Sequence, residues 1–165
     1  MNQKTEIQNF ALEKFSFLEK EKGLSGPIFV NKNRGVDIYY LAEKIGLQIE
    51  IDWNEYNVFV LVVLLSGGKI PGGYYMDQGL RRRIHLEKAL KELKIQDQRP
   101  NIIIDKRNKD ALFIETAINQ RIALYCDVLH SNVDQIINAG EALFCDNALW
   151  PKGDGKGAKS WIKKM

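Results

Sequence analysis

The sequence predicts an α+β fold: a mainly antiparallel β-meander of about four strands, with an N-terminal helix and a C-terminal helical layer. Three observations predict it. Val58 to Leu65 is an unbroken apolar run between polar Asn54–Asn57 and Gly67-Gly68, which reads as a strand apolar on both faces. Leu47 to Trp53 alternates: Leu47, Ile49, Ile51 and Trp53 share one face, and Gln48, Glu50 and Asp52 the other. Apolar residues recur at three- and four-residue steps both before and after these strands, which is helical spacing.

The elements follow in order. From Gln3 to Lys22, Ile7, Ala11, Phe15 and Leu18 make a helical stripe that Phe10 and Phe17 widen. Thr5 or Asn2 caps its start and Gly23 ends it. Gly26-Pro27 opens the strands: Ile28 to Asn31, a turn at Asn33-Arg34-Gly35, then Val36 to Leu41. Connections of hairpin length favour an antiparallel meander over βαβ units. The run at Val58 belongs in the middle of the sheet, with its neighbours turning polar residues outward.

Gly67 to Gly73 carries four glycines and Pro71 and reads as a loop. Asp77 is expected to cap a helix from Gln78 to Leu93, with Leu80, Ile84, Leu86, Ala89, Leu90 and Leu93 inward. Lys94 to Pro100 is a polar connection, and Ile102 to Ile104 fits either an edge strand or the entry to the next helix. Asp110 to Leu129 is strongly helical. Ser131 or Asn132 then caps a second helix that carries Val133, Ile136, Ile137, Gly140, Leu143 and Phe144, so the two read as a helical hairpin.

At 165 residues, 45% hydrophobic and 27% charged, the chain suits one domain, residues 1–150, with a basic tail, residues 151–165. The tail contributes five lysines and one acid, a net +4, against +3 for the whole chain, which leaves the body at −1. Cys126 and Cys145 show no CxxC spacing and read as buried, reduced thiols. No signal peptide or membrane span is evident, so a cytoplasmic location is expected.

Several clusters bear on chemistry. Lys69 follows Gly68, but no Ser or Thr comes next and Pro71 removes a donor, so the glycine-rich loop lacks the phosphate-binding pattern and reads as a connector. Arg81, Arg82, Arg83 and His85, placed in the first turns of the expected helix with Tyr74 and Tyr75 upstream, form a candidate anion or nucleic-acid site. Consecutive helical residues fan by roughly 100° each, which weakens that site. Gln48, Glu50 and Asp52 share a strand face that Asp37 and Tyr39 join from the neighbouring strand. Such carboxylates suit acid–base or cation chemistry, a solvated face, or docking of a basic partner. Position 54 is Asn where a nuclease metal site would want Lys. His85 and His130 have no companions at metal spacing, and no GxSxG is present. No metal site or cofactor is expected.

The layout over residues 5–95 resembles that of the small immunity proteins of bacterial polymorphic toxin systems. The residues that carry the likeness are Phe15-Ser16-Phe17-Leu18 before Gly23, the strand at Asp37 to Tyr40 and the strand at Glu50 to Trp53. The resemblance implies a cytoplasmic protein that occludes a toxin, often a nuclease with a basic substrate site. The expected function is therefore a non-enzymatic protein-binding module, with Asp37, Tyr39, Gln48, Glu50 and Asp52 on an open acidic sheet face contacting a protein partner. The rival is a nucleic-acid-binding protein or nuclease using Arg81–Arg83 and the tail. A third reading, a small hydrolase, requires a deep pocket at Glu50 and Asp52.

Overall fold

The computed structural model describes residues 2–100, 105 and 107–145. The expectations for Ile102–Ile104 and for the tail therefore lie outside the described residues. Asn2 starts the first helix, α1 (Gln3–Phe15), its side-chain oxygen accepting the Lys4 N–H at 3.1 Å. A further turn, α2 (Phe17–Lys20), buries Phe17 and Leu18, and Gly23 ends the segment with φ +71°.

Four long strands follow as expected: β1 (Ser25–Lys32), β2 (Gly35–Leu41), β3 (Ile45–Asp52) and β4 (Asn57–Leu64). Each pairs antiparallel with the next. The alternation of side chains divides the sheet cleanly. Val36, Ile38 and Tyr40, Leu47, Ile49 and Ile51, and Val58, Val60 and Val62 enter one core with the helices. The opposite face, called outer here, carries Asp37 and Tyr39, Gln48 and Glu50, and Phe59, Leu61 and Val63. The run at Val58 is thus a strand buried on both faces, as its composition demands.

The segment after β4 departs from the expectation. No helix starts at Gln78. Instead β5 (Met76–Asp77) and β6 (Leu80–Arg81) form a small hairpin, β7 (Arg83–His85) pairs antiparallel with β4, and only then comes α3 (Leu86–Glu92). The cause is the Gln78-Gly79 pair. Both residues have positive φ, +52° and +76°, the requirement of a two-residue hairpin turn that a helix cannot contain. Arg81 and Arg83 are consequently strand residues, with Arg82 between the two strands. Adding β7 gives a five-stranded sheet in the order β1-β2-β3-β4-β7.

The helical hairpin is also corrected. A single helix, α4 (Ala111–Ala139), runs through Ser131 and Asn132. Its 29 residues span about 44 Å at 1.5 Å per residue. Asp110 caps it, accepting the Leu112 and Phe113 N–H groups at 2.9 and 3.1 Å. The expected capping residues turn back into the helix instead. Ser131 Oγ donates to Asp127 O at 3.2 Å, and Asn132 Nδ2 to Val128 O at 2.8 Å. The buried stripe Ile122, Cys126, Leu129, Val133, Ile136 keeps its phase across this point, so nothing in the packing asks for a break. A 3-10 turn (Gly140–Phe144) closes the described chain, with Leu143 and Phe144 buried. Cys126 is buried as expected, whereas Cys145 is exposed.

Candidate functional site

The outer face holds a cluster that no apolar core would predict. Asp37 is 1% exposed, Tyr39 3%, Gln48 0% and Arg83 4%. The register explains how they meet. Tyr39 lies opposite Gln48, Asp37 opposite Glu50, and Arg83 opposite Val63 at the far end of β4. All project to the same face, and the long Arg83 side chain crosses β4 to reach β3 and β2.

Arg83 is the hub. Its Nε donates to Gln48 Oε1 at 2.6 Å, one Nη to Gly73 O at 2.6 Å and to Tyr74 O, and the other to the Tyr39 hydroxyl at 3.2 Å. Tyr39 in turn donates to Asp37 Oδ2 at 3.3 Å. Lys32, reaching in from β1, lies 2.6 Å from Asp37 Oδ2 and 3.8 Å from Glu50 Oε2. Glu50 also accepts from Gln48 Nε2 at 3.3 Å and from the Tyr74 hydroxyl. Two cations thus offset two carboxylates, the arrangement that makes buried charge tolerable. Asp37 Oδ1 has no hydrogen-bond partner among the described residues.

The cover is the glycine-rich segment. Ile70 packs on Tyr39, Val63 and Leu65. Gly73 comes so close to Met76 that a Cβ there would stand 2.0 Å from the Met76 carbonyl oxygen, so only glycine fits. The Tyr74 ring lies over Lys32 at 5.1 Å and over the Arg83 guanidinium at 5.0 Å. Tyr75 meets Tyr74 edge to face at 4.6 Å, and its hydroxyl is 3.0 Å from His85 Nε2. Burial raises the pKa of both Tyr39 and Tyr74, and for Tyr74 the hydrogen bond to Glu50 adds to the rise. For Tyr39 the Arg83 hydrogen bond pulls the other way without cancelling burial. Both hydroxyls therefore stay protonated and serve as donors.

The five residues expected on an open acidic face are brought together, but the face is covered. Asp37, Tyr39 and Gln48 are interior, because the segment after β4 folds back over them. Glu50 and Asp52 are half-buried at the rim. Asp52 has a local task as well: its Oδ1 accepts the Asn54 and Glu55 N–H groups at 2.8 and 2.9 Å and shapes the β3–β4 turn. The expected anion site is dispersed. Arg83 is in the cluster, Arg82 is 7% exposed with Nη1 donating to Leu65 O at 3.2 Å, and Arg81 lies on the neighbouring hairpin. Tyr74, Tyr75 and His85 do converge, beside Phe59.

A cleft of about 130 Å3 opens between Lys32, Arg34, Asp37, Glu50 and Asp52. That is below the roughly 300–1,000 Å3 of typical small-molecule sites, so the deep pocket a hydrolase reading requires is not here. Among the described residues no group of three His, Cys, Asp or Glu could hold a metal ion, and no helix is long and apolar enough to cross a membrane.

Sequence reasoning missed Met76 as part of the rim and Arg83 as the hub. The X-Gly turn at Gln78-Gly79 was the available signal, since it rules out the helical fan and leaves Arg81 at the end of β6 and Arg83 at the start of β7. No protein-family model matches this chain, and neither a curated protein nor a solved structure matches it.

Proposed function

We propose that this chain is a non-enzymatic protein-binding module, of the immunity-protein kind, that receives its partner on the tyrosine-rich rim of the outer sheet face. One observation carries the reading. Tyr74, Tyr75 and Met76 are 36%, 46% and 43% exposed and consecutive, yet the backbone that leads into them, at Gly73 and Tyr74, is fastened to the sheet by a buried arginine. Aromatic and methionine side chains on a rigid support offer large contact area at little entropic cost, the composition of interface centres. Glu50, which accepts from the Tyr74 hydroxyl, borders the patch, and Asp52 lies two residues along the same strand face; these acids bias it toward a partner with basic groups, such as a nuclease domain with a basic substrate site. The rival nucleic-acid reading is weakened because two of its three arginines are interior.

The test avoids charge reversal at Glu50 and Asp52, since both are used internally and their loss would disturb the fold. Instead the wild-type chain and a Tyr75→Ala, Met76→Ser variant are used as bait in lysate of the source cell and with the purified product of the neighbouring gene. The protein captured is then titrated against both. Loss of a hot-spot pair of about 2 kcal/mol predicts roughly 30-fold weaker binding. Equal affinity overturns the patch as the site. Recovery of RNA or DNA in place of protein, released by salt, overturns the binding class.

A further inference from the structure

The free edge of the sheet bears features that the rim does not explain. Among the described residues β1 pairs only with β2, so one side of this eight-residue strand has no neighbour among them. Its centre is apolar and open: Ile28, Phe29 and Val30 are 38%, 42% and 39% exposed. Exposed edges of this kind are templates for further strands, and proteins usually blunt them with charges, prolines or bulges. Here the proline and the register irregularity lie at the N-terminal end, between Ser25 and Ile28. The one charge, Lys32, is held 2.6 Å from Asp37 and so is already compensated. The middle of the strand is undefended.

Trp53 N–H donates to Arg34 O at 2.8 Å across the Gly35–Asp52 pair, which makes that pair a non-hydrogen-bonded one. Val36, Ile38 and Tyr40 therefore bond to β3, and Gly35, Asp37 and Tyr39 bond to β1. Their partners Lys32, Val30 and Ile28 spend their backbone groups inward. The N–H and C=O of Phe29 and Asn31 point outward, with Pro27, which has no N–H, next in line.

We propose that β1 is the contact through which a second copy of this chain adds, antiparallel, about a two-fold axis at Val30. In this register each Phe29 lies opposite Asn31 of the other copy, and both residues exchange their outward backbone hydrogen bonds. Val30 meets Val30 at the axis as a non-hydrogen-bonded pair. Ile28 lies against the methylene stem of Lys32, which covers it without burying the ammonium group. A register centred on Phe29 would place Pro27 opposite Asn31 and forfeit a bond, so the Val30 axis is preferred. A self-complementary patch of this sort closes as a dimer. Growth stops there because the other edge, β7, is only three residues long.

The test is specific to the register. Non-hydrogen-bonded antiparallel pairs hold their Cα atoms about 4.5 Å apart, within the range a disulfide spans. In a Cys145→Ser background, which removes the exposed native thiol, Val30→Cys is expected to form an intermolecular disulfide on mild oxidation by copper-phenanthroline and air. The two thiols lose two electrons and two protons to oxygen. Ile28→Cys in the same background is the control and should not cross-link. Wild type should sediment as a dimer at roughly 100 μM and Val30→Lys as a folded monomer, since it opposes two ammonium groups at the axis. Wild type that stays monomeric overturns the proposal. A dimer that survives Val30→Lys, or whose Val30→Cys variant fails to cross-link, overturns this interface. Protection of the Phe29 and Asn31 amides from exchange that does not depend on concentration would mean the chain covers its own edge, which overturns it too. None of these results bears on Tyr75 and Met76, so the dimer and the rim stand or fall separately.

Discussion

Replacing Arg83 by methionine tests the idea that the outer face is held by one buried cation. Methionine keeps much of the volume and removes the donors, so the loss is electrostatic and not a cavity. Gln48 Oε1, Gly73 O, Tyr74 O and the Tyr39 hydroxyl lose their common partner, and the carboxylates of Asp37 and Glu50 keep Lys32 and their hydrogen bonds from Tyr39, Gln48 and Tyr74 without the second cation nearby. An unsatisfied buried acceptor costs about 1–3 kcal/mol, and removing one member of a buried charge cluster about 3–5 kcal/mol in total once the site relaxes. The larger figure sets the expectation, because the four acceptors are not independent. For a chain of this size each kcal/mol lowers the melting temperature by roughly 2–4 °C, so Arg83→Met should lose about 6–20 °C. Circular dichroism melts and urea titrations with unchanged slope measure it. Amide exchange in residues 73–77 should quicken at the same time, since their anchor is gone. A loss below about 1 kcal/mol refutes the hub, because surface pairs reach that value. Tyr74→Phe on top of Arg83→Met should cost much less than Tyr74→Phe alone, as the two act on one assembly.

Two further outcomes follow from the fold. Asn132→Pro should cost at least about 3 kcal/mol, because the interior of a long helix loses a hydrogen bond and gains a clash. The helical-hairpin reading would put Pro at a tolerated first-turn position, so an unchanged urea midpoint would restore it. Stability should also fall in alkali. Burial raises Tyr40 to about 12, with the Glu19 charge adding to it, and raises Tyr39 and Tyr74 as well. A raised folded value means the folded state holds its proton more tightly. The stability it adds is complete below the unfolded tyrosine value of about 10 and is lost as the pH rises from there through the folded one. Tyr40→Phe should flatten the decline between about pH 10 and 12 in denaturant titrations, and an identical slope in the variant would remove Tyr40 as a cause.

Period-two alternation at Leu47–Trp53 and the double-sided run at Val58–Leu65 specified β3 and β4, because a strand must divide its residues between two faces. The Asn2 cap and the stripe Ile7, Ala11, Phe15 specified α1 for the same local reason. Ser131 and Asn132 misled, since a capping residue in mid-helix can satisfy itself on the carbonyl four residues back. Arg81–Arg83 misled because the expected helix from Gln78 to Leu93 runs through Gln78-Gly79, a pair whose positive φ angles make a turn.

The amino-acid order alone determined which side chains share a face, since that depends only on strand and helix periods. It placed Asp37, Tyr39, Gln48 and Glu50 together on the outer face without error. Whether that face meets water was decided by the tertiary fold. It depends on a long-range event, the return of residues 70–83 over β2 and β3, secured by Arg83 reaching Gln48 at a separation of 35 residues. Periodicity is a property of neighbours along the chain, whereas burial is a property of neighbours in space. That is why an acidic strand face reads as solvent-exposed until the cation that covers it is located.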